Sequence, residues 1–230
     1  MSATDSRAIV MYARPPVEGR VKTRLQPGLS PAQALSLYEA MLSDGIERMT
    51  AFAAGSAVPF VSFSGECHAA GELARLLGTV RVEYQLGEDL GARMAHTVET
   101  RLREGFRQVV LLGSDSPNLP LDYLDQAFEA LMAVDLVIGP AEDGGYYLLG
   151  ARRLHRRLFQ QVPWGTAGVL SVTRERIKSG RITCHELPTW YDIDTPASVA
   201  RLQADLQRSR PGEDGPEPHR TRRVLAGLTA

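Results

Sequence analysis

The stretch Gln108 to Pro120, Q-V-V-L-L-G-S-D-S-P-N-L-P, carries the first chemical candidate of the chain. Val109 to Leu112 form an unbroken apolar run, the pattern of a strand buried on both faces in a mostly parallel sheet. Asp115 follows it among Gly113, Ser114, Ser116 and Pro117, at the strand's carboxyl end, where open α/β sheets bind ligands. Asp, Ser and Pro also make ordinary turns and helix caps. The next helix, however, has caps of its own on offer in Asn118 and Asp122, so Asp115 reads as a metal-site or phosphate-site residue.

A second set follows the first apolar run, Ala8 to Ala13. There R-P-P-V-E-G-R-V-K-T-R-L places Arg14, Arg20, Lys22 and Arg24 in a loop stiffened by Pro15, Pro16 and Pro27. A solvated basic loop is one reading, but a basic loop after a first strand is also where polyphosphates bind in doubly wound folds. Neither G-x-x-x-x-G-K-[ST] nor G-x-G-x-x-G is present, so side-chain clamping is expected in place of a backbone cradle. In Q-L-G-E-D-L-G-A-R-M, Gly87 and Gly91 permit close backbone approach. Arg93 opposes the dipole of its helix unless an anion, or Glu88 or Asp89, stands near.

Three further motifs come later. Asp143-Gly144-Gly145 is a tight-turn signal that can present Asp143 to a pocket. Trp164, in P-W-G-T, can stack on a sugar or base or can fill a core. In W-Y-D-I-D-T-P, Asp192 and Asp194 are two apart in an extended segment, which points both to one side, and hard cations need such oxygens. Asp194 or Thr195 can equally cap the helix that Pro196 begins.

The elements that must hold these residues alternate strand and helix. Strands are expected at Ala8–Ala13, Val58–Phe63, Val80–Tyr84, 109–112, 135–140, 146–149 and 181–187. Helices are expected at 32–53, 72–77, opening within 85–94, after about Leu121, at 152–161, after Thr166 and from Pro196. Tyr146 to Leu149 follow the D-G-G turn too soon for a helical crossover, so they should run antiparallel to their predecessor. This describes a single α/β domain over residues 7–208. From 209 to 230 the composition turns to Pro, Gly and alternating charge, and a flexible tail without a core is expected.

The totals narrow the function. With 26 basic and 27 acidic residues in 230, the formal charge of -1 gives no field that would draw nucleic acid or an anionic membrane. Cys67 and Cys184 lack the spacing of a metal knuckle. The amino terminus lacks the pattern of a signal peptide and no apolar run is long enough to span a membrane, so a cytoplasmic enzyme is expected.

Taken together, A-R-P-P-V-E-G-R-V-K-T-R-L, Q-L-G-E-D-L-G-A-R-M, G-S-D-S-P, G-P-A-E-D-G-G-Y-Y-L-L-G, P-W-G-T and D-I-D-T-P resemble a bacterial family of GT-A-fold glycosyltransferases, some members of which are named for arsenosugar biosynthesis. The resemblance runs from about Ile9 to Leu202. The same superfamily holds the molybdenum-cofactor and phospholactate guanylyltransferases. It implies a GT-A fold: a mostly parallel central sheet with an antiparallel strand and helices on both faces. It implies Mg²⁺ or Mn²⁺ on Asp115 and Asp194, with Arg14, Lys22 and Arg24 at the nucleotide's phosphates. Asp143, Gly144 and Gly145 would face the acceptor. Many glycosyltransferases carry a D-x-D pair where this chain has S-D-S, so the nucleotide's own phosphates would have to complete the ligation.

The expectation is a metal-assisted transfer from a nucleotide-diphospho-sugar to a small-molecule acceptor, with Asp143 as base. Gly91, Arg93 and Trp164 are further candidates for the nucleotide and acceptor. Nucleotidyl transfer from an NTP to a phosphorylated acceptor, and nucleotide binding without catalysis, remain as alternatives, and a homodimer is left open.

Overall fold

Burial of continuous apolar runs sets the middle of the sheet. The computed structural model describes residues 6–26, 28–208 and 214–228. β1 (Arg7–Ala13) and β4 (Gln108–Gly113) run parallel and side by side, from Arg7 opposite Gln108 to Tyr12 opposite Gly113. β2 (Val58–Phe63) and β3 (Arg81–Tyr84) continue the sheet on the far side of β1. Beyond β4 lie β6 (Tyr146–Ala151), β5 (Leu136–Pro140) and β7 (Cys184–Glu186). The order is β3-β2-β1-β4-β6-β5-β7, and β6 runs antiparallel to both neighbours, as the short D-G-G connection requires.

The chain moves outward from β1 to β3 and then returns to the other side of β1 as β4. Strand order therefore reverses between β1 and β4, and the crevice beyond their carboxyl ends is the ligand position of an open α/β sheet. The basic loop leaves β1 there, and the Asp115 loop leaves β4.

Helices cover both faces. α1 (Pro31–Ala53) starts at a reciprocal capping box between Ser30 and Gln33 with proline in its first turn. It packs Tyr38, Leu42, Ile46 and Met49 on one face of the sheet, beside α2 (Gly71–Leu77) and α4 (Asp122–Ala130). α3 (Leu90–Arg103) and α5 (Val169–Gly180) cover the other face through Met94, Val98 and Leu170. A third apolar group joins Leu37 and Met41 of α1 to Tyr191 and Ile193, to Leu202 and Leu206 of α6 (Pro196–Arg208), and to Leu225 of α7 (His219–Leu228). No helix among the described residues is long and apolar enough to cross a membrane, and both cysteines are free.

Three expectations change. Residues 152–161 are irregular, with one 3-10 turn at Arg156–Leu158. The Arg176 guanidinium takes the carbonyls of Arg157, Leu158 and Gln161, and Gln161 has φ 53°, which an α-helix excludes. Neither Asn118 nor Asp122 caps α4: Asn118 Nδ2 donates to the Tyr191 hydroxyl, and the Leu121 N–H reaches Asp214 Oδ1 at 2.9 Å. The stretch expected to be a flexible tail contains α7, docked on α1 and α2 through charged side chains. Residues 209–213 and 229–230 of that stretch lie outside the described residues.

Candidate functional site

Lys22 stands at the centre of the crevice. Its Nζ donates to Asp115 Oδ1 at 2.6 Å and to Asp194 Oδ1 at 3.0 Å, and its side chain is only 3% exposed. The backbone delivers it in the left-handed region, φ 49° and ψ 36°, just before the 3-10 turn Thr23–Leu25. A lysine held there costs of order 1 kcal/mol. Burial opposes the ammonium's charge, but Asp115 and then Asp194 outweigh it and raise the pKa above that of a free lysine. Arg24 Nη1 lies 3.6 Å from Asp194 Oδ2 with its side chain largely in solvent, and Arg14 is exposed at the start of the same loop. The Arg14 main chain is fixed on both sides by the Tyr38 hydroxyl, at 2.9 Å each.

The Asp192–Asp194 segment is tied directly to the Asp115 loop. The Ile193 N–H donates to the Asp115 carbonyl at 3.0 Å. Ser116 Oγ lies 2.9 Å from the Tyr191 carbonyl and 3.1 Å from Asp192 Oδ1. Ile193 itself is fully buried, which contributes roughly 1.5–3 kcal/mol and pins the two carboxylates that flank it. Asp192, which stood only as a partner of Asp194 in the sequence, has its carboxyl pushed up to about 7. Burial is the main cause, followed by the charges of Asp115, Asp143 and, more weakly, Asp194, against the hydrogen bond from Ser116. Four carboxylates thus share one neighbourhood with one buried ammonium.

Asp143 is exposed on the turn between β5 and β6, and its Oδ1 accepts the Gly145 N–H at 2.8 Å. Gly144 has φ +89°, and a Cβ there would stand 2.3 Å from the Ala167 carbonyl oxygen. Gly144→Ala should therefore cost about 1–3 kcal/mol and be visible as a lower urea midpoint; an unchanged midpoint would show that the turn can open.

Gly91, Arg93 and Trp164 each engage groups of this chain. A Cβ on Gly91 would fall 2.3 Å from the Phe159 carbonyl oxygen and 2.6 Å from Trp164 Nε1, so the close approach is to this chain's own backbone and indole. Trp164 is half-buried, edge-on to Tyr146 with ring centroids 6.2 Å apart, and its Nε1 is buried without a hydrogen-bond partner among the described residues. Arg93 Nε donates to the Gly87 carbonyl at 3.1 Å, while Asp89 caps α3. These three residues lie at the amino-terminal end of α3 and beside it. The residues the structure brings together are Lys22, Arg24, Asp115, Asp143, Asp192 and Asp194.

Sheet order and the site's position define a class: this is the fold of the nucleotide-diphospho-sugar transferases. A candidate nucleotide-diphospho-sugar transferase from Desulfovibrio desulfuricans G20 superposes with a TM-score of 0.86 at 29% identity, over 98% of this chain and 96% of that one. CMP:2-keto-3-deoxy-manno-octonic acid synthetase, solved with CTP, shares the fold with a TM-score of 0.55 at 14% identity, over 88% and 99% of the two chains. So does a cytidylyltransferase from Leptospira borgpetersenii serovar Hardjo-bovis, with a TM-score of 0.56 at 14% identity over 97% and 92%. Within that superfamily the chain belongs to DUF2064, described as an uncharacterized protein conserved in bacteria, whose pattern matches residues 48–166. No curated protein matches the sequence.

Carboxylate oxygens are the ligands a hard divalent cation prefers, and the Lys22 ammonium draws the Oδ1 atoms of Asp115 and Asp194 to one point, so this pair has the donor chemistry such an ion needs. Elsewhere, Asp44, Glu47 and His219 bring donor atoms within 4.8 Å of one another. There Arg220 Nη1 already lies 3.0 Å from Asp44 and 2.5 Å from Glu47, so that cluster is an ion-pair network.

Proposed function

We propose that the chain is a divalent-metal-assisted transferase that moves a sugar from a nucleotide-diphospho-sugar to a small-molecule acceptor. The observation that carries this reading is the meeting of Lys22, Asp115 and Asp194 at the switch point between β1 and β4. A ligand with concentrated negative charge suits such a place when a cation and basic side chains share it. Mg²⁺ or Mn²⁺ held by Asp115 and Asp194 would supply a Lewis acid that neutralises charge on the departing diphosphate. Lys22 and Arg24 would bind the phosphates, with Arg14 at the loop's entry. Asp143, fixed by the Gly145 N–H, would accept the proton of the acceptor hydroxyl as the bond from the sugar to the diphosphate breaks.

Nucleotidyl transfer is the second reading. It is favoured by the shared fold of a synthetase solved with CTP and of a cytidylyltransferase. The two reactions differ in their products: nucleoside diphosphate in the first, pyrophosphate from an NTP in the second. A thermal-shift panel of nucleotides and nucleotide-sugars with and without Mn²⁺ identifies the ligand, because binding to the folded state raises its apparent stability. Product analysis on the best ligand then decides the reaction. If no nucleotide shifts the melting temperature, the transferase reading fails.

Replacing Lys22 and Arg24 together by alanine should weaken nucleoside diphosphate at least about tenfold more than it weakens free nucleoside, the equivalent of one charge-assisted contact. Calorimetry showing equal losses for the two ligands would remove the loop from the phosphates.

A further inference from the structure

We propose that Lys22 is an internal counter-ion that a divalent cation must displace, so that the same ammonium first holds the empty carboxylates together and then serves the nucleotide. The inference rests on the metal-assisted reading above and assigns the order in which the site loads.

Three observations carry it. Lys22 Nζ engages the Oδ1 atoms of both Asp115 and Asp194, the two carboxylates assigned to the cation. An ammonium and a divalent ion cannot share those oxygens at contact distance, since like charges so close repel strongly. The second observation is the strained backbone at Lys22, held by its two ion pairs in a conformation that non-glycine residues rarely adopt. Withdrawal of the carboxylates would relieve the constraint that keeps the side chain 97% covered.

The third is residue choice. Of 26 cationic side chains only two, Lys22 and Lys178, are lysines. An arginine fork would lock bidentately on a carboxylate, whereas lysine is a point charge on a flexible four-carbon stem and can change partners. When a cation takes Asp115 and Asp194, the Lys22 ammonium loses both anions and gains a positive neighbour. The phosphates of a nucleotide are then its available partner, and cation and nucleotide load together.

The scarcity of lysine makes the test direct. The full-length chain is treated with an amine-reactive N-hydroxysuccinimide ester and acylation at Lys22 and at exposed Lys178 is followed by peptide mass spectrometry. Lys22 should react slowly in the free protein, about tenfold faster with saturating Mg²⁺, and slowly again when a nucleoside diphosphate is added with Mg²⁺; Lys178 should not respond. In parallel, calorimetry should show Mn²⁺ binding Lys22→Met about tenfold more tightly than the parent, with Lys22→Asn as a second variant because asparagine accepts the left-handed backbone. Mg²⁺ that binds without changing the reactivity of Lys22, or Mn²⁺ that binds parent and variants equally, would overturn the counter-ion role and leave metal assistance standing. If neither ion binds the parent or either variant, with or without nucleotide, the metal-assisted reading and this inference fall together.

Discussion

Asp115→Asn should lower the rate of transfer by about a hundredfold or more while the protein still folds. The exchange keeps the size of the side chain and removes the charge that a hard cation needs. The structural cost is limited by geometry. Asp115 is 40% exposed, and Lys22 would retain Asp194 at 3.0 Å, so its ammonium is not stranded. Breaking a fully buried pair costs about 3–5 kcal/mol, whereas this half-exposed one, with a second partner remaining, should cost about 1 kcal/mol. That corresponds to a melting temperature lower by about 2–4 °C for a domain of this size. The discriminating measurement is the Mn²⁺-dependent thermal shift with nucleotide: it should vanish in Asp115→Asn. Equal shifts in mutant and parent would sink the role of Asp115 in holding metal.

The sequence carried the frame of this site because its parts obey local rules. An unbroken apolar run followed by small residues marked β4 and Asp115, and the short D-G-G connection marked an antiparallel β6. The meeting of Lys22 with Asp115 and Asp194 was less legible, because it joins residues separated in the chain and depends on strand order. Asp192 was visible beside Asp194, but its raised pKa arises from burial and from charges on two other segments, at Asp115 and Asp143. Trp164 illustrates the converse. A loop-tip indole in P-W-G-T can stack on a sugar or fill a core, and what composition does not show is that the neighbouring Gly91 lets it pack against the start of α3. Residues 152–161 have helical composition, but their carbonyls are claimed by Arg176 from another element.

The carboxyl-terminal segment shows where composition misleads most, and it supports a large effect on stability. Pro, Gly and alternating charge argued for a solvated tail, yet Arg220 is buried and reaches Asp44 at 3.0 Å, Glu47 at 2.5 Å and Glu72 at 2.6 Å. Asp44 on α1 has a side chain with no exposure at all, and it also accepts the Thr221 N–H at 2.7 Å. Among the described residues, the cation that pairs with it, Arg220, comes from the segment that reads as tail. Asp214 likewise pairs with Arg48 at 2.6 Å and takes the Leu121 N–H at the start of α4. Arg220→Ala would leave the Asp44 charge buried with backbone donors alone, a loss of about 3 kcal/mol, or about 6–12 °C in melting temperature. Ending the chain after Arg208 would also uncover the α1 surface beneath Leu225, so the fall should exceed that of the point mutant. Arg222→Ala is the control: its partner Glu217 lies on the same segment, and the pair is half-exposed, so the change should stay below about 1 kcal/mol. Combining Arg220→Met with Asp44→Leu should recover much of the loss, because replacing both members of a buried pair removes the stranded charge. A truncated chain that melts within about 2 °C of the parent would show that α7 contributes nothing to the fold.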